Sequence, residues 1–242
     1  MNVRLLVSEL AKLRGSLALV LLLVAPGLLG VLAFLSMIAA TEIPSWASIL
    51  GNFVYPLWSL FLLPMAAATF ATLVAQIEYK TDGWTHLLAL PVPHWQIFLV
   101  KSIIVVAGIA LMNVLVAVAS LMGSALGGLV VGTMPLGSLP FTAIVRIAAT
   151  VTGACLLLAA IQFWAALRFR NFVVPLALGI AGTLVTLAVM ISQTSLADWF
   201  PWVLPYKAML STDKMPYLLF SGLGSLAVFS LLIIDVRRHL TR

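Results

Sequence analysis

The chain has 242 residues, 63% of them hydrophobic and only 8% charged, with a mean hydropathy of +1.19. A soluble domain carries about 25% charged residues, so this composition excludes a water-soluble globular fold and implies a polytopic membrane protein. The net charge of +6 implies no nucleic-acid partner, because basic residues beside membrane spans mark the side where anionic lipid headgroups lie.

The chain opens on VRLLVSELAKLRGS, residues 3–16. Val3, Leu6, Val7, Leu10 and Leu13 recur at helical spacing, with Arg4, Ser8, Lys12 and Gly15 on another face. This pattern predicts a basic amphipathic helix lying in the membrane interface, either as an anchor for the first span or as a docking element. Apolar runs long enough to cross the hydrocarbon core follow near 17–40, 53–77, 97–122, 142–167, 172–194 and 215–235. The basic start and apolar run mimic a signal peptide, but the run is too long for one, so an uncleaved first span is expected. The stretch GSALGGLVVGTMPLGSLP, residues 123–140, either extends the third span or dips back into the membrane. Its Gly123/Gly127 and Gly128/Gly132 pairs, like Ser221/Ser225 in the last run, suit close helix packing.

The expected fold is an all-α polytopic membrane protein: a single domain, 1–242, of six transmembrane helices. With six spans both termini share a side. Arg4, Lys12, Arg14, Lys80, Lys101, Arg168, Arg170, Arg237, Arg238 and Arg242 then lie on that side, against Lys207 and Lys214 on the other. Ten against two predicts cytoplasmic termini in a cell membrane. Trp46, Tyr55, Trp199, Trp202, Tyr206 and Tyr217 mark the outer interface, and Tyr79, Trp84, Trp95 and Trp164 the inner one.

Little catalytic chemistry is available. The sequence holds no phosphate-cradling G-x-x-x-x-G-K-[ST] loop. His86, His94 and His239 lack metal-ligand spacing, so no metal site is expected. Cys155, the lone cysteine, is expected to be a packed core residue. The polar residues within the spans include Asn113, Arg146, Gln162 and Gln193, with no carboxylate or histidine that would serve a buried nucleophile. Asn113, Arg146 and Gln162 are candidates to line a solute path. Arg146 lies about 9 Å from the helix start at Pro140. It can snorkel to the outer headgroups, pair with an outer loop, or face the path.

The gap between the second and third runs, 78–96, is unusual: EYKTDGWTHLLALPV with Pro93 close behind. Thr81 or Asp82 can cap a helix that places Trp84, Leu87 and Leu88 on one face, and Pro91 ends it. Pro93 suits the first turn of the third span. The sequence predicts a short transverse helix set between two spans. This stretch, followed by Lys101, resembles the type 2 ABC exporter permeases, and is most similar to their lantibiotic self-immunity branch. The amphipathic start with Glu9, Lys12 and Arg14 resembles the family too. The outer segment 196–214, with ADWFPWVLPYKAMLSTDK, resembles its short, partly inserted piece.

The resemblance implies that residues 78–96 form a cytoplasmic coupling helix docking on a dimer of ATP-binding subunits, with Glu78, Gly83, Trp84, Leu87, Leu88 and Pro91 as its contacts. It implies a second permease copy or a related permease, and ATP and Mg on the partner ATPase, with no cofactor bound by this chain. The function expected is export of an amphipathic or hydrophobic solute such as a peptide antibiotic, lipid or drug. Two alternatives stand at this level. The 78–96 element suits an interfacial hairpin lying on lipid, and the whole chain suits a membrane sensor or scaffold that binds a peptide without moving it.

Overall fold

The computed structural model describes residues 3–80, 93–192 and 196–239, and among them the chain is helical with no sheet. Helix α1 (Val3–Leu13) is followed by a turn at Gly15, whose φ of 76° favours glycine. The spans then run Leu17–Ala39, Trp46–Tyr79, Trp95–Val131, a bent pair Phe141–Ala154 and Leu156–Arg168, Val173–Ser192 and Met215–Leu232. Among the described residues five helices are long and apolar enough alone, and the bent pair makes a sixth where its two halves cross as one broken span. The chain is a multi-pass membrane protein.

The second span is the axis of the bundle. In its apolar window 56% of residues are buried, against 17% in the sixth span at the periphery. Its half nearer the α1 end is regular α-helix, Leu63–Lys80. The other half alternates α-helix with two π-helical segments, Ile49–Val54 and Trp58–Leu62. Pro56 and Pro64 each remove one N–H from this stretch. The chain answers with wider turns, in which Tyr55 N–H bonds Leu50 O and Leu63 N–H bonds Trp58 O. The altered register turns both Tyr55 and Trp58 fully inward.

The first and third spans pack along much of their length because glycines let their backbones meet. A Cβ on Gly123 would lie 2.0 Å from the Gly30 carbonyl oxygen, and one on Gly127 would lie 2.8 Å from Met37 Cβ. Gly128 and Gly132 do other work. Gly132 ends the third-span helix with a φ of 80°, its N–H bonded to Gly128 O. The helix of the third span therefore continues through this stretch as far as Val131. Beyond it, Leu136 N–H bonds Pro44 O and Trp46 N–H bonds Leu136 O, which ties two loops together at the end remote from α1. Pro93 sits one place earlier than expected, as the cap before His94.

The fourth span, expected as one run, breaks by 45° at Cys155. The backbone groups released by the bend are met by Ser221 of the sixth span. Its hydroxyl accepts from Leu157 N–H (3.1 Å) and donates to Ala154 O (2.9 Å). A side chain inserted into the ladder is a recognised cause of a kink. Cys155 is buried at this bend, its thiol free.

Candidate functional site

Four charged side chains meet at the α1 end of the bundle. Glu9 and Lys12 come from α1, Glu78 from the end of the second span and Lys101 from the start of the third. Lys12 Nζ lies 2.6 Å from Glu9 Oε1 and 2.8 Å from Glu78 Oε1. Lys101 Nζ lies 3.0 Å from Glu78 Oε1 and also pairs with Glu9 Oε2. The four pairs close a ring of alternating sign and zero net charge. Lys101, Glu9 and Glu78 side chains are 1%, 2% and 3% exposed, and Lys12 is 33% exposed.

Isolated charges at such depth would be severely penalised, and the ring satisfies each one with opposite neighbours. Burial alone would lower the pKa of the Lys12 ammonium. Its hydrogen bonds to Glu78 and Glu9 outweigh that and leave it raised, so Lys12 stays charged at neutral pH.

The ring explains how α1 lies. Leu5, Glu9 and Leu13 form the buried stripe, while Val7 and Leu10 face outward. The expected split between one apolar and one basic face is thus corrected. Lys101 across the contact draws the Glu9 carboxylate inward, and Val7 and Leu10 are left exposed. Arg14 is exposed beyond the ring. The same end is tied further: Gln76 Nε2 donates to Arg170 O (2.9 Å), Tyr79 OH donates to Leu167 O, and Trp164 Nε1 donates to Asp235 Oδ2 (3.2 Å).

The other predicted residues separate. Glu78 belongs to the ring, whereas Gly83, Trp84, Leu87, Leu88 and Pro91 lie outside the described residues. Asn113 is fully buried in the π-helical half of the bundle. Its Oδ1 accepts from Trp58 Nε1 (2.7 Å), its Nδ2 donates to Thr152 Oγ1 (2.9 Å), and its backbone carbonyl accepts from Tyr55 OH (3.2 Å). Gln162 is also fully buried. Oriented so that donors face acceptors, its amide donates to Pro175 O (3.1 Å) and accepts from Gly179 N–H (3.2 Å). These two side chains join spans to one another. Arg146 alone of the three is exposed, beside the exposed Phe141 and Val145. Of the loop carboxylates, Asp198 pairs with Lys207 at 2.9 Å, and Asp213 accepts from Met215 N–H.

A family model described as ABC-2 family transporter protein matches residues 5–186, a range that begins in α1 and includes every residue of the ring. The chain belongs to the ABC-2 family. It is therefore a transporter permease subunit of the membrane, and membership implies association with an ABC ATPase subunit. No curated protein and no solved structure matches the chain.

Sequence reasoning placed Glu9, Lys12 and Glu78 in two separate elements of the permease and left Lys101 as a flanking mark. The available signal was their balance: two acids and two bases at the ends of apolar runs that contain almost no other charge. The Ser221 bridge at the bend had no such signal, because serine in a span usually bonds its own helix.

Proposed function

We propose that this permease exports an amphipathic or hydrophobic solute, and that ATP hydrolysis on a separate subunit drives it through residues 78–96. The observation that carries this reading is the ring. Its Glu78 opens and its Lys101 follows the segment that the family resemblance assigns to the ATPase, and Glu9 and Lys12 bind α1 into the same unit. A push on that segment then moves α1 and the near ends of the second and third spans together, because displacing any one member exposes a charge. The opposite halves of the spans follow, changing access between the two membrane sides.

The charge asymmetry supports cytoplasmic termini, with the ring facing the ATPase. An exposed Arg146 toward the far end suits contact with an anionic or carbonyl-bearing part of the solute. A peptide antibiotic is the cargo that the resemblance to the self-immunity branch favours, carried between two permease copies or a related pair.

The test is purification in mild detergent followed by ATPase measurement. An ATP-binding subunit should co-purify with the wild type, and solute should stimulate its hydrolysis. Leu87→Asp should abolish that stimulation while leaving the thermal stability of the permease unchanged. Removing a central anchor from a protein contact costs at least about 2 kcal/mol. If assembly, stimulation and transport all survive Leu87→Asp, the docking role of residues 78–96 is wrong.

A further inference from the structure

At the end remote from α1, the helix Leu204–Leu210 lies between the ends of the fifth and sixth spans and borders a cavity of about 450 Å³. Met190 and Leu210 supply apolar wall, and Tyr206, Lys207, Ser211 and Tyr217 supply polar wall. The helix is firmly seated. Leu204 and Ala208 are buried, and Trp202 stacks on Phe200 at 5.1 Å. Trp202 also lies so close to Gly182 that a Cβ there would meet its ring at 2.3 Å. One border of the cavity is thus held in place, and its volume is in the range of small-ligand sites.

Its polar lining is rich in donors. Neither the Tyr206 nor the Tyr217 hydroxyl has a hydrogen-bond partner among the described residues. Lys207 meets Asp198 at 2.9 Å, but an ammonium carries three donors and one carboxylate contact does not exhaust them. Ser211 already donates its hydroxyl to Asp213 O. No acidic side chain is among the described residues that line the cavity, and Asp198 meets it only through Lys207. Two tyrosines and a lysine therefore line a space beside apolar wall. It lies where the fifth span ends at Ser192 and the sixth begins at Met215, which is headgroup depth.

We infer that this cavity binds the anionic headgroup of an amphiphile, with a phosphate or carboxylate taking the Tyr206 and Tyr217 hydroxyls and the Lys207 ammonium. The amphiphile's apolar portion lies against Met190 and Leu210. Charge-assisted hydrogen bonds of this kind are the strong ones. The headgroup comes either from a phospholipid of that leaflet or from a free single-chain amphiphile.

The test uses the full chain in a non-ionic detergent, titrated separately with phosphatidylglycerol and with dodecyl phosphate, and read by native mass spectrometry. One saturable equivalent is expected. The double variant Tyr206→Phe/Tyr217→Phe keeps the rings and should weaken binding about tenfold, as should Lys207→Gln. Binding of both probes supports the shared headgroup chemistry. Phosphatidylglycerol alone identifies a lipid site, and dodecyl phosphate alone identifies a site for free amphiphiles. The variant that melts like the wild type carries the readout. Unchanged affinity in that variant, or no saturable binding of either probe by the wild type, overturns the inference. Neither ATPase nor transport enters the measurement, so its outcome is separate from that of the export reading.

Discussion

The two halves of the second span are held by different physics. Near α1 the helix is regular, and Glu78 joins it to its neighbours through ion pairs with Lys12 and Lys101. In the far half the helix is repeatedly widened, and neutral, directional bonds from Tyr55 and Trp58 to Asn113 hold it. An ammonium acts as a point charge with rotatable donors, so the ionic junction tolerates changes of angle while resisting separation. An indole–amide bond keeps its strength only within a limited range of angles and weakens steeply below about 120°. The ionic end is therefore suited to moving as a block, and the π-helical end to changing register.

That contrast is broken most severely at Lys101. Lys101→Met leaves two buried carboxylates sharing the half-exposed Lys12 and should cost about 3–5 kcal/mol. Thermal or denaturant unfolding in detergent measures it. The double variant Glu9→Gln/Lys101→Met should recover a large part of the loss, since it removes one charge of each sign. Equal losses in the single and double variants would mean that the ring is not a coupled unit.

Trp58→Phe probes the far half. It removes the N–H that Asn113 Oδ1 accepts and leaves a buried acceptor unmet, at a cost of about 1–3 kcal/mol. The loss should be smaller than at Lys101, and Asn113→Leu added to Trp58→Phe should restore part of it. A Trp58→Phe penalty as large as that of Lys101→Met would erase the distinction between the two halves.

The smallest effect is expected at the bend. Ser221→Ala removes one hydroxyl that serves Leu157 N–H and Ala154 O, and should cost about 1 kcal/mol. Ser225→Ala is the control, because Ser225 bonds Gly222 O within its own helix and should change stability less. Equal effects would show that the bend does not depend on the inter-span bridge.

Much of the fold was legible along the chain. The spans at 17–40, 172–194 and 215–235 lie close to the observed helices because the transfer of an apolar run into hydrocarbon depends on its composition and length. The seat of α1 was legible only in outline, since its periodicity revealed a helix but placed Leu10 where Glu9 lies. Asn113, Gln162 and Arg146 were grouped as path candidates by type, and only the shallow depth of Arg146 set it apart as able to reach the headgroups. Of the three only Arg146 is exposed, and the full burial of Asn113 and Gln162 depended on partners in other spans.

Hydropathy and charge by themselves determined that the chain crosses the membrane repeatedly and which charges are too few to ignore. The tertiary structure decided where those charges go. Lys101 finds Glu9 across 92 residues, Lys12 finds Glu78 across 66, and Trp58 finds Asn113 across 55. Separations of that length lie beyond any local period. A buried ion or amide takes its position from whichever partner packing brings within about 3 Å, and that partner exists only once the spans have assembled.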